Sequence, residues 1–523
     1  MTRLRAITDR NRKWWTLGAM SFSLFMIMLD NTVVNVALPS IQKDLGASLS
    51  ALEWTINAYT LAIAVLLVTA GRLGDIFGRR RGFLIGVSVF ALSSATAGFA
   101  PNDASLVISR AVQGIGAAFM MPATLSIVTN AFPPAERGRA IGTWAGVSAL
   151  ALAVGPVVGG FLTEQVSWRA IFFLNLPVAA LAIIVALAAV RESRDRTVPR
   201  VVDYAGVATI TVGIGALVLA LIEGNDWGWG SARIIGLFAL SALGLVAFIL
   251  TERRVRFPVV EFSFFRSRQF VGTNGIAFVV SFAMLAMFFF MALYMQNILG
   301  YSPLEAGIRF LPSTVVIIIA APLAGRLTDR IGARVPIVTG LTLVAIALYI
   351  QSRVTVDTGY SYLLPAFALM GLGIGLTMSP MSTAAMNAVQ EAKAGVASGI
   401  LSMSRMVGGT FGVAAVGALF QQLSDNRLHE RLGELPLSSQ QQAWFAHNLG
   451  SGAVADKLKQ LDPATAHQVS GVLKDTFVHS LAMSLRLSTA VAVVGVLIAF
   501  VLLRKERAPA ATPVRPEPAI EAG

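Results

Sequence analysis

GRLGDIFGRRR at residues 71–81 and GRLTDRIGAR at 325–334 are the same phrase written twice. Six positions agree at a spacing of 254 residues: Gly71/Gly325, Arg72/Arg326, Leu73/Leu327, Asp75/Asp329, Gly78/Gly332 and Arg80/Arg334. Pro122 and Pro380 repeat at 258, and Gly142/Gly399 and Gly155/Gly412 both repeat at 257. Chance convergence of glycine-rich helices would not hold offsets within four residues of one another, so the chain reads as a duplicated unit. Parallel repeats with a site at their interface are a transporter architecture.

The text around these repeats is apolar. Of 523 residues, 55% are hydrophobic and 13% charged, with mean hydropathy +0.70. That is about half the charge of a soluble domain. Eleven stretches lack Asp, Glu, Lys and Arg: 54–71, 82–102, 111–135, 140–163, 170–190, 204–222, 234–251, 269–304, 310–325, 335–352 and 358–390. Three more each tolerate one charge: 14–42 around Asp30, 394–424 around Arg405 and 476–503 around Arg486. Each suffices for a helix across about 30 Å of hydrocarbon. The expected fold is an all-α polytopic membrane protein with 14 transmembrane helices, two six-helix halves plus two inserted helices. The echoes pair span 2 with 10, 4 with 12 and 5 with 13, so spans 7 and 8 are the insertion. The expected segments are 1–13 (N-terminus), 14–190 (N-terminal half), 191–268 (inserted pair with flanking loops), 269–503 (C-terminal half, including external loop 425–475) and 504–523 (disordered tail). Loop 425–475 reads as a cap of short amphipathic helices, with Leu428, Leu432 and Leu435 at helical spacing. Pro380 is expected to interrupt span 12.

Forty-one Lys and Arg against 28 Asp and Glu give a net charge of +13. In a membrane protein these cations set topology and meet lipid headgroups, not nucleic acid. With the N-terminus placed inside, loops on that side carry 28 cations against 10 outside. Both termini are therefore expected in the cytoplasm, and the first span is too long for a cleaved signal. No cysteine is present, no lysine follows a glycine, and no HExxH occurs, so thiolate chemistry, a P-loop and a zincin site are all excluded. His429, His447, His467 and His479 are not spaced for a metal. No enzymatic activity, metal or cofactor is expected, which leaves an ion gradient as the energy source.

LDNTVVNVALP at 29–39 buries Asp30 within the first span. A carboxylate there costs about 2.5–3.5 kcal/mol to insert, so it faces a cavity or partner and suits a group that takes and releases a proton. The competing reading is an Asp snorkelling from a helix end. Asn31 and Asn35 are polar neighbours at i, i+4. LVISRAVQGIGAA at 106–118 embeds Arg110 and Gln113 in the fourth span, and that cation needs a polar or acidic partner whether it serves coupling or structure. The fifth-span motif opens at Gly142; within it, Gly155, Gly159 and Gly160 allow close helix approach and Pro156 bends the backbone. Gly71, Arg72, Asp75, Gly78, Arg79 and Arg80 read as a tight cytoplasmic turn, with Asp75 able to cap a helix or pair with an arginine. Glu223 and Arg405 are secondary candidates. MLAMFFFM at 284–291 reads as core or lipid-facing surface, with a greasy pocket as the alternative.

At these residues the chain resembles the major facilitator superfamily, specifically its fourteen-span drug/proton antiporters. Leu29–Pro39 matches the first-span signature, and L-x3-R-x2-Q-G-x-G-A-A is complete from Leu106 to Ala118. G-x8-G-x3-G-P-x2-G-G matches at Gly142, Gly155, Pro156, Gly159 and Gly160, with Ala151 in place of one glycine. The loop pattern matches except that Ile76 replaces a basic residue. Trp54, Tyr59, Leu61, Trp168, Arg169, Asn175 and Pro177 are similar to family marks. The resemblance implies proton-coupled rocker-switch export of drug-like or lipophilic compounds from a bacterial cytoplasmic membrane, by a monomer. It gives Asp30 and Arg110 to proton coupling, the 71–81 loop to a conformational latch and the fifth-span motif to export. Two alternatives stay open: a dedicated exporter of an endogenous antibiotic, lipid or siderophore, and a non-transporting receptor or scaffold.

Overall fold

Long apolar runs between glycine, proline and capping residues leave the backbone one way to satisfy its polar groups in lipid, which is the helix. The computed structural model describes residues 7–47, 49–197, 200–447, 449 and 453–503, and every regular element among them is helical. The tail 504–523 and residues 1–6 lie outside the described residues, as do the side chains of Pro39, Pro156, Pro303 and His447.

The long helices are α1 (Arg12–Leu45), α2 (Leu49–Phe77), α3 (Arg79–Gly98), α4 (Asp103–Ala131), α5 (Pro134–Gln165), α6 (Asn175–Ala189), α7 (Tyr204–Trp227), α8 (Ala232–Glu252), α9 (Arg268–Asn297), α10 (Leu311–Ile331), α11 (Arg334–Gln351), α12 (Tyr360–Asn387), α13 (Ala394–Leu432) and α14 (Pro463–Leu502). Thirteen described helices are long and apolar enough to cross a membrane. The 32-residue α5 is the fourteenth by length. Span 9 ends at Asn297 before a turn, as Gly300, Ser302 and Pro303 suggest. Pro380 does not interrupt α12, which runs unbroken for 28 residues to Asn387, and Pro122 likewise sits inside α4. Neighbouring helices re-satisfy a proline-freed carbonyl at membrane depth more readily than water does.

The halves meet along two seams, α2 against α13 and α5 against α10. Glycine makes both possible. A Cβ at Gly71 would strike the Gly395 carbonyl, and one at Gly325 would strike that of Gly138. Gly399 and Gly142 repeat the device one turn deeper, against Leu67 and Val68 and against Ala321 and Pro322. α8 packs on α7, which lies outside the halves across α2 and α13.

The cap differs from its expected form. α13 and α14 have 39 and 40 residues, about 60 Å each, twice the hydrocarbon thickness. Leu428 and Leu432 therefore belong to α13, where they join Phe445, Val469 and Leu473 in a small separate core. Among the described residues of the cap, only Ser439–His447 and Ala453–Leu458 are short helices.

The fifth-span glycines do not act alike. A Cβ at Gly155 would collide with Thr32 Oγ1 in α1, and one at Gly159 would come within 3.0 Å of Val33 Cα. Gly160 faces open space, contrary to the close approach expected of it, because one residue on from Gly159 turns it about 100° away from α1. Gly155→Ala should cost about 1–3 kcal/mol through overpacking. Thermal unfolding in detergent should show the loss, and Thr32→Ala should restore most of it; additive losses would remove this contact as the cause.

Candidate functional site

Asp30 lies at the middle of α1 and is 1% exposed; Arg110, in α4, is fully buried. Arg110 Nη1 donates to Asp30 Oδ2 at 2.5 Å and to Gln113 Oε1 at 2.7 Å, and Nε donates to the Thr55 carbonyl of α2 at 3.1 Å. Asp30 Oδ1 accepts from Gln113 Nε2 at 2.9 Å and from Asn175 Nδ2 of α6 at 2.8 Å. Asn175 also donates to Ser94 Oγ of α3 at 3.0 Å. The guanidinium carbon lies 4.0 Å from the Tyr59 ring centre, a cation–π contact on its remaining face. Four helices beside α1 thus converge on one carboxylate. Both its oxygens accept from donors on α4 or α6, so a proton that neutralises the carboxylate weakens the bonds that hold α1 to those helices.

Asn31 and Asn35 are not brought to this carboxylate. Asn35 donates to the Asn31 carbonyl at 2.9 Å, back along α1. Asn175 and Ser94 complete the site; Asn175 is one of the residues similar to family marks, whereas Ser94 had only the signal that polar side chains in apolar spans demand partners.

The second constellation is at the helix ends. Asp75 is fully buried. Its Oδ1 accepts from Arg79 Nε at 2.8 Å and from the Gly395 amide at 2.9 Å, and Oδ2 accepts from the Val396 amide at 2.8 Å. Those amides open α13, in the other half, where helix N-terminal dipoles favour a carboxylate. Arg79 Nη2 donates to the carbonyls of Glu391 and Ala392, both at 2.7 Å. Asp329 mirrors this, accepting from the amides of Gly138 at 2.9 Å and Arg139 at 3.0 Å, at the start of α5. Arg137 pairs with Glu391 across the halves. The protein is therefore closed at this end.

The expected turn is tighter than its glycines suggest. Gly71 and Gly74 are helical, and Gly78 alone breaks the chain between α2 and α3, at φ +122°. Its counterpart Gly332 also has positive φ, +81°, a region that disfavours side chains. Gly71 serves the seam instead. Arg80 donates from its backbone amide to Glu192 at 3.0 Å, and Arg72 is buried beside Glu252. Glu223 is buried on α7 with Glu53 and Asp226 as its charged neighbours, not Asp30 or Arg110.

The Major Facilitator Superfamily family model matches residues 20–413. The chain belongs to the major facilitator superfamily. A tetracenomycin C resistance and export protein from Streptomyces glaucescens is 34% identical over 519 residues, 98% of this chain and 96% of that protein. The multidrug transporter protein MdtP of Bacillus subtilis (strain 168) is 32% identical over 90% of each chain. The puromycin resistance protein pur8 of Streptomyces alboniger is 38% identical over 79% of this chain and 84% of that one. The human organic anion transporter MFSD10 (TETRAN) aligns with TM-score 0.55 over 93% of this chain and 100% of its own, at 13% identity, a likeness of fold alone. This superfamily member is a many-span membrane protein, and its family and these relatives are transporters rather than enzymes.

Proposed function

We propose that the chain is a proton-coupled antiporter that exports drug-like or lipophilic compounds across a bacterial cytoplasmic membrane, as a monomer with both termini in the cytoplasm. The observation that carries this reading is the buried Asp30 carboxylate, paired with Arg110 and bonded to donors from α4 and α6. Protonation there removes the charge that holds Arg110 and weakens the bonds from α4 and α6, so proton binding is coupled to helix movement. The Asp75 and Asp329 contacts hold the cytoplasmic end shut in this state. Gly155 and Gly159, packed on α1, seat the fifth helix against the same element that carries Asp30. Resistance and export functions of the relatives agree with an outward direction. A dedicated exporter of one endogenous compound is favoured by one observation: the relative covering 98% of this chain is named for a single antibiotic.

The test is accumulation of a panel of lipophilic fluorescent compounds in inside-out vesicles with an acidic lumen. At least one should accumulate against its gradient, and nigericin should abolish that accumulation. Accumulation that survives nigericin, or none for any compound, would remove proton-coupled export.

A further inference from the structure

This scheme leaves Arg405, a cation at membrane depth, without a task. Arg405 lies about a third of the way along α13, about three turns from its start, and is half-buried. Its hydrogen bond is a 3.5 Å contact from Nη2 to Ser402 Oγ, longer than a well-formed one, and no described ion pair includes it. Arg110, by contrast, has its carboxylate at 2.5 Å.

The packing around α9 shows where Arg405 points. α9 carries α14 on one flank, where a Cβ at Gly495 would meet Val279 at 2.6 Å. Towards α10 it carries Phe288 against Phe310, with ring centres 4.9 Å apart. α13 packs on it through Gly408 and Gly412, against Phe278 and Phe282. The arc left over, between α13 and the α10 side, bears Leu285 and Phe289, which are 42% and 49% exposed. α13, α10 and α12 all reach the other half, so we read this arc as opening onto the chamber between the halves. A Cβ at Gly409 would touch Leu285 at 3.0 Å, on the side away from α14, and Arg405 lies one helical turn earlier on the same face. The 284–291 stretch thus divides: Met287, Phe290 and Met291 are core, whereas Leu285 and Phe289 are exposed.

No acid balances this cation. From Glu305 to Asp425 the chain's only acidic residues between are Asp329, Asp357 and Glu391, each at a helix end or in a turn. Building on the exporter reading, we propose that Arg405 is a substrate-contact residue that gives the chamber a preference for lipophilic compounds bearing an anionic oxygen, such as a carboxylate or phenolate. A guanidinium recognises such oxygens through paired N–H donors, and Leu285 and Phe289 offer apolar surface for the rest of the molecule. An unpaired cation in a low-dielectric chamber also repels lipophilic cations, which supplies discrimination as well as affinity.

The experiment compares two dyes sharing the xanthene ring system, anionic fluorescein and cationic rhodamine 123. Binding to the purified full chain is measured by fluorescence anisotropy with no gradient. The wild type should bind fluorescein more tightly. Arg405→Gln should weaken fluorescein about ten-fold while leaving rhodamine 123 within about two-fold, and Arg405→Lys should keep most of the preference. No fluorescein binding by the wild type, an unchanged fluorescein affinity in Arg405→Gln, or equal weakening of both dyes would overturn the proposal. Vesicle accumulation of the dyes is scored separately. Selective binding without uphill accumulation would keep the Arg405 assignment and discard export.

Discussion

Asp30→Asn is expected to reduce uphill efflux to the level of vesicles without the protein, while passive exchange of a transported dye down its gradient continues. Asp30 accepts from three side-chain donors with two oxygens. Asn has one acceptor oxygen, so an NH2 group must face Arg110 or the amides of Gln113 and Asn175. It also cannot exchange a proton at any working pH. Arg110 would be left buried without a countercharge, a loss of the order of 3–5 kcal/mol when one member of a buried pair is removed. The variant should therefore unfold at a lower temperature, so transport must be normalised to folded protein. Asp30→Glu, which keeps the charge, should retain measurable coupling. Full uphill efflux by Asp30→Asn would end the assignment of coupling to this carboxylate.

Asp75→Asn is expected to open the closed end. Asp75 is fully buried, with an arginine and two amides of the other half on its oxygens. Its replacement leaves Arg79 unpaired only while the seam is shut, so the penalty falls on that state. A differential of about 3 kcal/mol shifts the equilibrium about a hundred-fold. The chain has no cysteine, so single cysteines report the change cleanly. Ser398→Cys, on α13 one turn into the closed end and fully buried, should gain reactivity towards a maleimide. Leu285→Cys, in the exposed arc, should lose it. Transport should slow without change in the range of compounds accepted. Equal labelling in both backgrounds, with normal rates, would reduce Asp75 to a local capping residue.

The legible parts of this protein are those written in local pattern. Fourteen apolar runs specify fourteen long helices because lipid permits the backbone nothing else. The phrase around Asp75 carries its own glycines and arginines, and its copy around Asp329 lies at the equivalent seam. What pairs with Asp30 was less legible. Arg110 and Gln113 are 80 and 83 residues away and Asn175 is 145 away, so only tertiary packing shows that they share one carboxylate. Asn35 is near in sequence yet bonds along its own helix. Gly71 and Gly160 show the same limit from opposite sides. A glycine's composition suggests a turn or a close approach, but the neighbour that would meet its Cβ belongs to another part of the chain. The α13 and α14 extensions escaped the reading because apolar counting ends at the membrane, whereas the small core around Leu432 and Phe445 continues both helices beyond it.

Proton-for-compound exchange is tested most directly by the proton itself. Purified protein is reconstituted into liposomes holding a pH-sensitive dye and an acidic lumen, and a transported lipophilic dye is added outside. Entry of the dye should raise the luminal pH in step with its accumulation, and Asp30→Asn should abolish both signals. Accumulation with no change in luminal pH, or proton release that persists in Asp30→Asn, would contradict exchange through Asp30.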